Sequence, residues 1–426
     1  MIAILAPLLL QFVQSPLQVT PNHPNTFYQV GETITWTIPQ NPSAEGSYKY
    51  ELKRNNFAPL KSGSFDPSKT DSIITFKADE PSMLFLQITA PNGAKKDYAA
   101  AIEPQKIKST FPRPKDFDQF WKSKTDLAKN TKIKISRTPG EAPSGIKYET
   151  FEMNHPINGR ITGQMARPDD NKKHPALLQV QWAGVYSLDK SWIMGYAQSG
   201  FITMNIQAHD VQPIASPEYF KNLPQEIQNY NSINQNDLES NYFVRMYVSG
   251  YTALEQLSKY PQWDGKTLVV IGTSMGGQQA IALAGLHPKV THMIANVPAG
   301  SDIAASLHNR QAGYPFFNVA DPKIAAVAPY VDGINFAPNI KAKSLIGLGF
   351  VDTVCPPFGI WTTFNLIPGP KEIVPMPDSP HNHLATPAQQ KPFNDRNWQW
   401  LQSIAKGEDV KPRTLDETLK SAAGTR

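Results

Sequence analysis

Hydrophobic and polar positions change their rhythm once along this chain, near residue 104. Between residues 25 and 103, short stretches alternate, as in Thr33-Ile34-Thr35-Trp36-Thr37, Tyr48-Lys49-Tyr50-Glu51-Leu52, Ser72-Ile73-Ile74-Thr75-Phe76 and Met83-Leu84-Phe85-Leu86-Gln87-Ile88. A period of two buries one face of a strand, and the Gly, Pro, Asn and Asp residues between the stretches supply turns. The pattern predicts a small antiparallel, immunoglobulin-like β-sandwich over 21–104. Its aromatics Phe27, Tyr28, Trp36, Tyr48 and Tyr50 would suit a carbohydrate platform, but alternation turns most of them toward a core.

After Pro104, apolar runs alternate with helical spacing. A short amphipathic helix begins at Phe117-Asp118-Gln119-Phe120-Trp121. Strands are predicted over 175–180, 201–206, 267–271, 290–297, 344–348 and 372–374, and helices over 245–260, 275–286 and 393–404. Strand and helix in alternation predict an α/β unit over 105–426, with a mostly parallel, doubly wound sheet covered on both faces.

Composition narrows the classes. The 426 residues are 40% hydrophobic and 18% charged, enough for large cores and against wholesale disorder. The 38 prolines argue against long helical bundles. No run of about 18 apolar residues exists, so no membrane-spanning helix is expected. The single cysteine, Cys355, excludes a disulfide framework and a cysteine zinc site. The net charge of +5 is concentrated, because residues 95–137 hold twelve Lys and Arg against five Asp and Glu. This proline-rich stretch reads as a solvated linker rather than a nucleic-acid surface. With no candidate nucleophile or base before Pro104, the amino-terminal unit is expected to be separable from catalysis. The apolar run 1–10, followed by Gln11, Val13 and Ser15, resembles the core of a secretion signal, which implies a secreted or periplasmic protein.

The chemistry is concentrated in Leu268-Val269-Val270-Ile271-Gly272-Thr273-Ser274-Met275-Gly276-Gly277-Gln278. Gly-x-Ser-x-Gly alone is a weak signal, but here it joins a buried strand to a helix, the context of a nucleophile elbow. A serine hydroxyl needs a base to take its proton, and in such sheets the acid and the histidine follow the serine in sequence. The strand 344–348 leads into Asp352, the expected orienting acid. Strand 372–374 leads into Asp378-Ser379-Pro380-His381-Asn382-His383, which offers two histidines. Asp302, Asp321 and Asp332 are rival acids, though none directly follows a clear strand. His287 and His292 flank the helix after Ser274 and read as structural.

Several of these segments resemble the acetyl xylan esterases and cephalosporin C deacetylases of carbohydrate esterase family 7. They are Gly-Thr-Ser-Met-Gly-Gly at 272–277, Gly-Phe-Val-Asp-Thr-Val-Cys-Pro-Pro at 349–357 and Gly-Pro-Lys-Glu-Ile at 369–373. Pro114-x-x-Phe117-Asp118-x-Phe120-Trp121, Tyr242-Phe243-x-Arg245-Met246-Tyr247 and Trp263-Asp264-Gly265-Lys266 extend the likeness over 106–406. The resemblance implies an α/β-hydrolase that removes acetyl groups from carbohydrate hydroxyls. It implies Ser274 as nucleophile, His381 as base in preference to His383, and Asp352 as orienting acid. Where the family carries His-Gly-Tyr, this chain reads Gln181-Trp182-Ala183-Gly184. The oxyanion hole is expected from the backbone N–H groups of Ala183 and Met275, with Trp182 narrowing the acyl pocket. Gln207-Ala208-His209-Asp210 and His381-Asn382 are further departures, and the amino-terminal sandwich is an addition that leaves the oligomeric state open. The expected partner is an acetylated carbohydrate, with no metal or cofactor. A peptidase or lactone hydrolase on the same fold, or a binding protein with a decayed site, are the competing readings.

Overall fold

A computed structural model describes residues 17–423; the apolar run 1–10, read above as a secretion signal, lies outside them. Eight strands come first: β1 (Thr20–Pro21), β2 (Phe27–Tyr28), β3 (Thr33–Ile38), β4 (Tyr48–Arg54), β5 (Pro59–Phe65), β6 (Ser72–Lys77), β7 (Ser82–Thr89) and β8 (Lys95–Ile102). They form a three-stranded sheet, β1-β3-β6, and a five-stranded sheet, β2-β8-β7-β4-β5. Ile34, Trp36 and Ile38 from the first sheet meet Leu52, Leu84, Leu86 and Ile102 from the second in one core. Tyr28, Trp36 and Tyr48 are buried there. These three aromatics therefore serve packing rather than an exposed platform.

β7 is buried on both faces, unlike an alternating strand with a wet side. Leu84 and Leu86 face the small core, whereas Met83 and Phe85, with Ala99 and Ala101 of β8, join the large core of the rest of the chain. Phe27 adds edge-on contacts to Phe350 and Trp361. The amino-terminal strands therefore share packing with the rest of the chain, and removing them would strip cover from the large core.

The basic stretch is also not a linker. It contributes β8, the helix Phe117–Asn130 and part of a further strand. The helix buries Phe117, Trp121, Thr125 and Ala128, spaced at three and four residues, while its lysines take the wet face.

The large sheet has nine strands: β9 (Ile135–Gly140), β10 (Ile146–Asn154), β11 (Arg160–Pro168), β12 (His174–Val180), β13 (Ile202–Ile206), β14 (Trp263–Thr273), β15 (His292–Asn296), β16 (Lys343–Gly349) and β17 (Lys371–Met376). Their order is β17-β16-β15-β14-β12-β13-β11-β10-β9. β17, β16, β15, β14, β12 and β13 run parallel to one another, and β11, β10 and β9 add an antiparallel edge. That edge was not predicted, since Lys147, Glu149 and Glu152 break up the apolar signal of β10.

Parallel strands sandwiched between helices bury both faces. Leu178, Leu268 and Val270 pack against the helices Tyr242–Leu257 and Met275–Leu286. Leu177, Val269 and Ile271 pack on the opposite side against Phe393, Trp400 and Leu401 of the helix Pro387–Ala405. The helix predicted from Arg245 starts three residues earlier, because Asn241 accepts the Phe243 N–H at 2.9 Å as its cap.

Candidate active site

Ser274 sits between the end of β14 and the start of the helix Met275–Leu286, with φ 58° and ψ −122°. This left-handed φ is strained for serine. It is held by Ser274 N–H donating to Asn296 O at 2.9 Å, and by Ser274 O accepting from Gln278 and Ala299 N–H, each at 3.0 Å. The flanking glycines are steric necessities. A Cβ on Gly272 would stand 2.3 Å from the Gly276 carbonyl, and one on Gly276 would stand 2.6 Å from Val180 O. Strand, turn and helix thus pass at backbone contact.

Asp352 lies just past β16 and is fully buried. Its Oδ1 accepts the Val354 and Cys355 N–H groups at 2.8 and 2.7 Å. Its Oδ2 is 2.7 Å from His381 Nδ1, and His381 Nε2 is 2.9 Å from Ser274 Oγ. A carboxylate only accepts, so Nδ1 carries the proton and Nε2 is left to accept from the serine hydroxyl. The histidine loop is anchored to the sheet: Asn296 Nδ2 donates to Gln390 Oε1 at 2.9 Å, and Gln390 Nε2 to Ser379 Oγ at 2.7 Å. Gly349 lets this loop approach β16, since a Cβ there would meet Ser379 O at 2.3 Å.

The rivals sit elsewhere. His383 is exposed, its ring 5.2 Å from that of His381. Asp302 pairs with Arg310 at 2.8 Å. Asp321 caps a helix through Lys323 N–H, and Asp332 accepts three backbone N–H groups. His287 lies 3.2 Å from Glu255, and His292 faces Trp400.

The turn after β12 brings in side chains that the sequence did not single out. Gly184 N–H donates to the Tyr230 hydroxyl at 3.0 Å, which bonds the Tyr314 hydroxyl at 2.8 Å. Tyr314 in turn reaches the sulfur of Met275 at 3.3 Å. His209 Nε2 bonds Gly184 O at 2.9 Å, and burial pushes this imidazole down to about 4. The turn and the first residue of the helix are therefore braced together. Only His209 carried a hint in the sequence, as a departure from the family pattern; the tyrosines come from distant loops. Trp182 is 37% exposed and packs against Tyr186 and Trp192. It lines a cleft of about 110 Å³ with Thr273, Asn296, Asn394 and Asn397. A wider cavity of about 490 Å³ opens beside Val185, Tyr186 and Phe220.

Asp352, Cys355 and His381 each place a ligating atom within 4.8 Å of the others. Burial, and then the Asp352 charge, push the Cys355 thiol well above its ordinary value, against an opposing hydrogen bond with Ser274. The thiol is thus held protonated, and Asp352 and His381 are committed to each other.

A mostly parallel nine-stranded sheet with a serine on the strand–helix turn defines an α/β-hydrolase. A sequence model of the acetyl xylan esterase (AXE1) family matches residues 102–403, and the chain belongs to that family. It is a carboxylic ester hydrolase. An acetyl esterase, Axe7A, of Xylanibacter ruminicola is 29% identical over 379 residues, covering 85% of each chain. The fold is shared with two solved acetyl xylan esterases. That from Paenibacillus sp. R4 superposes with a TM-score of 0.61 at 20% identity, over 71% of this chain and 98% of its own. That from Thermoanaerobacterium sp. JW/SL YS485 gives 0.60 at 22% identity, with the same coverage of 71% and 98%.

Proposed function

We propose that the protein removes acetyl groups from carbohydrate hydroxyls, with acetylated xylan or its oligosaccharides as the substrate class, through an acyl-enzyme on Ser274. The observation that carries this reading is the unbroken hydrogen-bonded line from Ser274 through His381 to buried Asp352, at 2.9 and 2.7 Å. Ser274 Oγ attacks the acetyl carbonyl carbon as His381 Nε2 takes its proton, and Asp352 steadies the imidazolium. The Met275 N–H, with that of Ala183, receives the oxyanion. Collapse breaks the bond to the sugar oxygen, which takes the proton from His381. Water then attacks the acetyl-serine, gives its proton to His381, and acetate leaves with Ser274 restored.

Trp182, beside the end of the nucleophile strand, is the proposed wall of the acyl pocket. The strands of 21–104 are read as an immunoglobulin-like unit packed on the esterase unit 105–426. Export is the corresponding proposal for location, and it rests on the apolar run 1–10. A panel of acetylated xylan, longer acyl esters and aminoacyl amides tests the reading. Acetate release from xylan should dominate, and faster cleavage of the amides would favour a peptidase instead.

A further inference from the structure

Asn55 and Asn56 form a turn after β4, both with left-handed backbones, at φ 47° and 49°. The turn is locked to β7, since Asn55 N–H donates to Met83 O at 2.7 Å and Asn55 Oδ1 accepts Met83 N–H at 3.1 Å. On its other side it meets Gln311, which lies far away in sequence. Asn55 O accepts the Gln311 N–H at 3.1 Å, and Asn56 Nδ2 donates to Gln311 Oε1 at 2.7 Å. The remaining end of that amide, Gln311 Nε2, donates to Thr353 O at 2.8 Å. The orientation follows from chemistry, because a backbone carbonyl only accepts and must face the NH₂ end. Three residues on, Tyr314 N–H donates to Val354 O at 2.8 Å. A Cβ on Gly313, between them, would stand 2.5 Å from Pro356 Cδ. Segment 311–314 therefore lies flat along the loop that carries Asp352 and holds two of its successive carbonyls.

We infer that Gln311, held by Asn56, is a positioning residue for the acid of the catalytic line, so that the amino-terminal β-unit completes the active site. The inference rests on the proposed role of Asp352. The carboxylate has little freedom of its own: Oδ1 is taken by the N–H groups of Val354 and Cys355, in the same loop. Where the loop goes, Oδ2 goes, and with it the 2.7 Å contact to His381. Gln311 acts on the loop that carries Asp352, so its effect should reach the chemical step and leave KM little changed. Misplacement of a reacting constellation by about 1 Å costs up to roughly a hundredfold in rate.

The test is a double-mutant cycle in the full chain, with kcat and KM measured on an acetyl ester. Gln311→Ala removes the partner of Thr353 O and of the Asn56 amide. It should lower kcat by about tenfold or more with KM within about twofold. Asn56→Gly keeps a residue at ease with positive φ and deletes only the amide, so it should give a smaller loss of the same kind without endangering the fold. In an Asp352→Asn background, either change should cost little more, because groups acting through one partner are not additive. Unchanged kcat in both single variants, or the same fold-loss with and without Asp352, overturns the inference. Full activity of Asp352→Asn alone would instead remove the catalytic reading on which it stands.

Discussion

The exposed ring of His383 stands edge-on to the buried ring of His381, with centroids 5.2 Å apart. Only His381 has one nitrogen toward Asp352 and the other toward Ser274. His381→Ala should therefore lower kcat by several powers of ten, a loss typical of such residues, whereas His383→Ala should cost far less. Steady-state kinetics on an acetyl ester decides, and an equal loss in the two variants would reassign the base.

The elbow glycines allow a stability test. A methyl group on Gly276 would press on Val180 O, a backbone atom of the sheet, at 2.6 Å, and cannot turn aside as a side chain could. Gly276→Ala should destabilise the protein by about 1–3 kcal/mol, the usual cost of overpacking, and lower activity as the turn shifts. A urea melt reads the first effect, and an unchanged midpoint would mean that strand and helix part easily.

Trp182 lines the small cleft with Thr273, next to Ser274 in sequence. If its ring limits the acyl chain, acetyl esters should be cleaved faster than butyryl or octanoyl esters. Trp182→Gly should then narrow the gap, which for lost methylene-sized room is about 10–200-fold. Equal wild-type rates for acetyl and octanoyl esters would move the acyl group elsewhere, for instance into the cavity beside Val185.

The pH dependence of stability follows from His209. Its folded pKa is about 4 against an ordinary 6.5, chiefly through burial. The unfolded chain therefore binds the proton more tightly, and the stability contributed by the neutral ring is present above pH 6.5 and lost as pH falls toward 4. His155 and His292 shift in the same direction. Thermal midpoints should drop between pH 6.5 and 4, and His209→Gln should make the drop shallower. A slope unaltered in that variant would show that the Gly184 turn tolerates the charge.

The parts of the site that are legible in the sequence are those whose constraint is local. Gly272 and Gly276 mark the elbow because close backbone approach forbids a side chain there, and Asp352 and His381 follow buried strands that read as apolar runs. The antiparallel edge is hidden because β9 is exposed nearly throughout, charges interrupt the apolar positions of β10, and Thr162, Gly163 and Gln164 break the apolar run of buried β11. The helix Phe117–Asn130 is legible from its start at Phe117, although the lysines of its solvent face make the stretch around it read as a linker. Tyr230, Tyr314, Asn56 and Gln311 escape for another reason: their partners lie far along the chain, and no spacing rule links Asn56 to Gln311. For the same reason, texture suggests a boundary near Pro104 and says nothing of Met83 and Phe85 reaching into the larger core.

The proposed function stands or falls on Ser274 as the carrier of the acyl group. Mass spectrometry of the intact and digested protein after treatment with an organophosphate tests it most directly. One adduct is expected, on Ser274, with loss of esterase activity in proportion to labelling, and none in Ser274→Ala. Stoichiometric labelling of a different residue, or wild-type activity in Ser274→Ala, would contradict it.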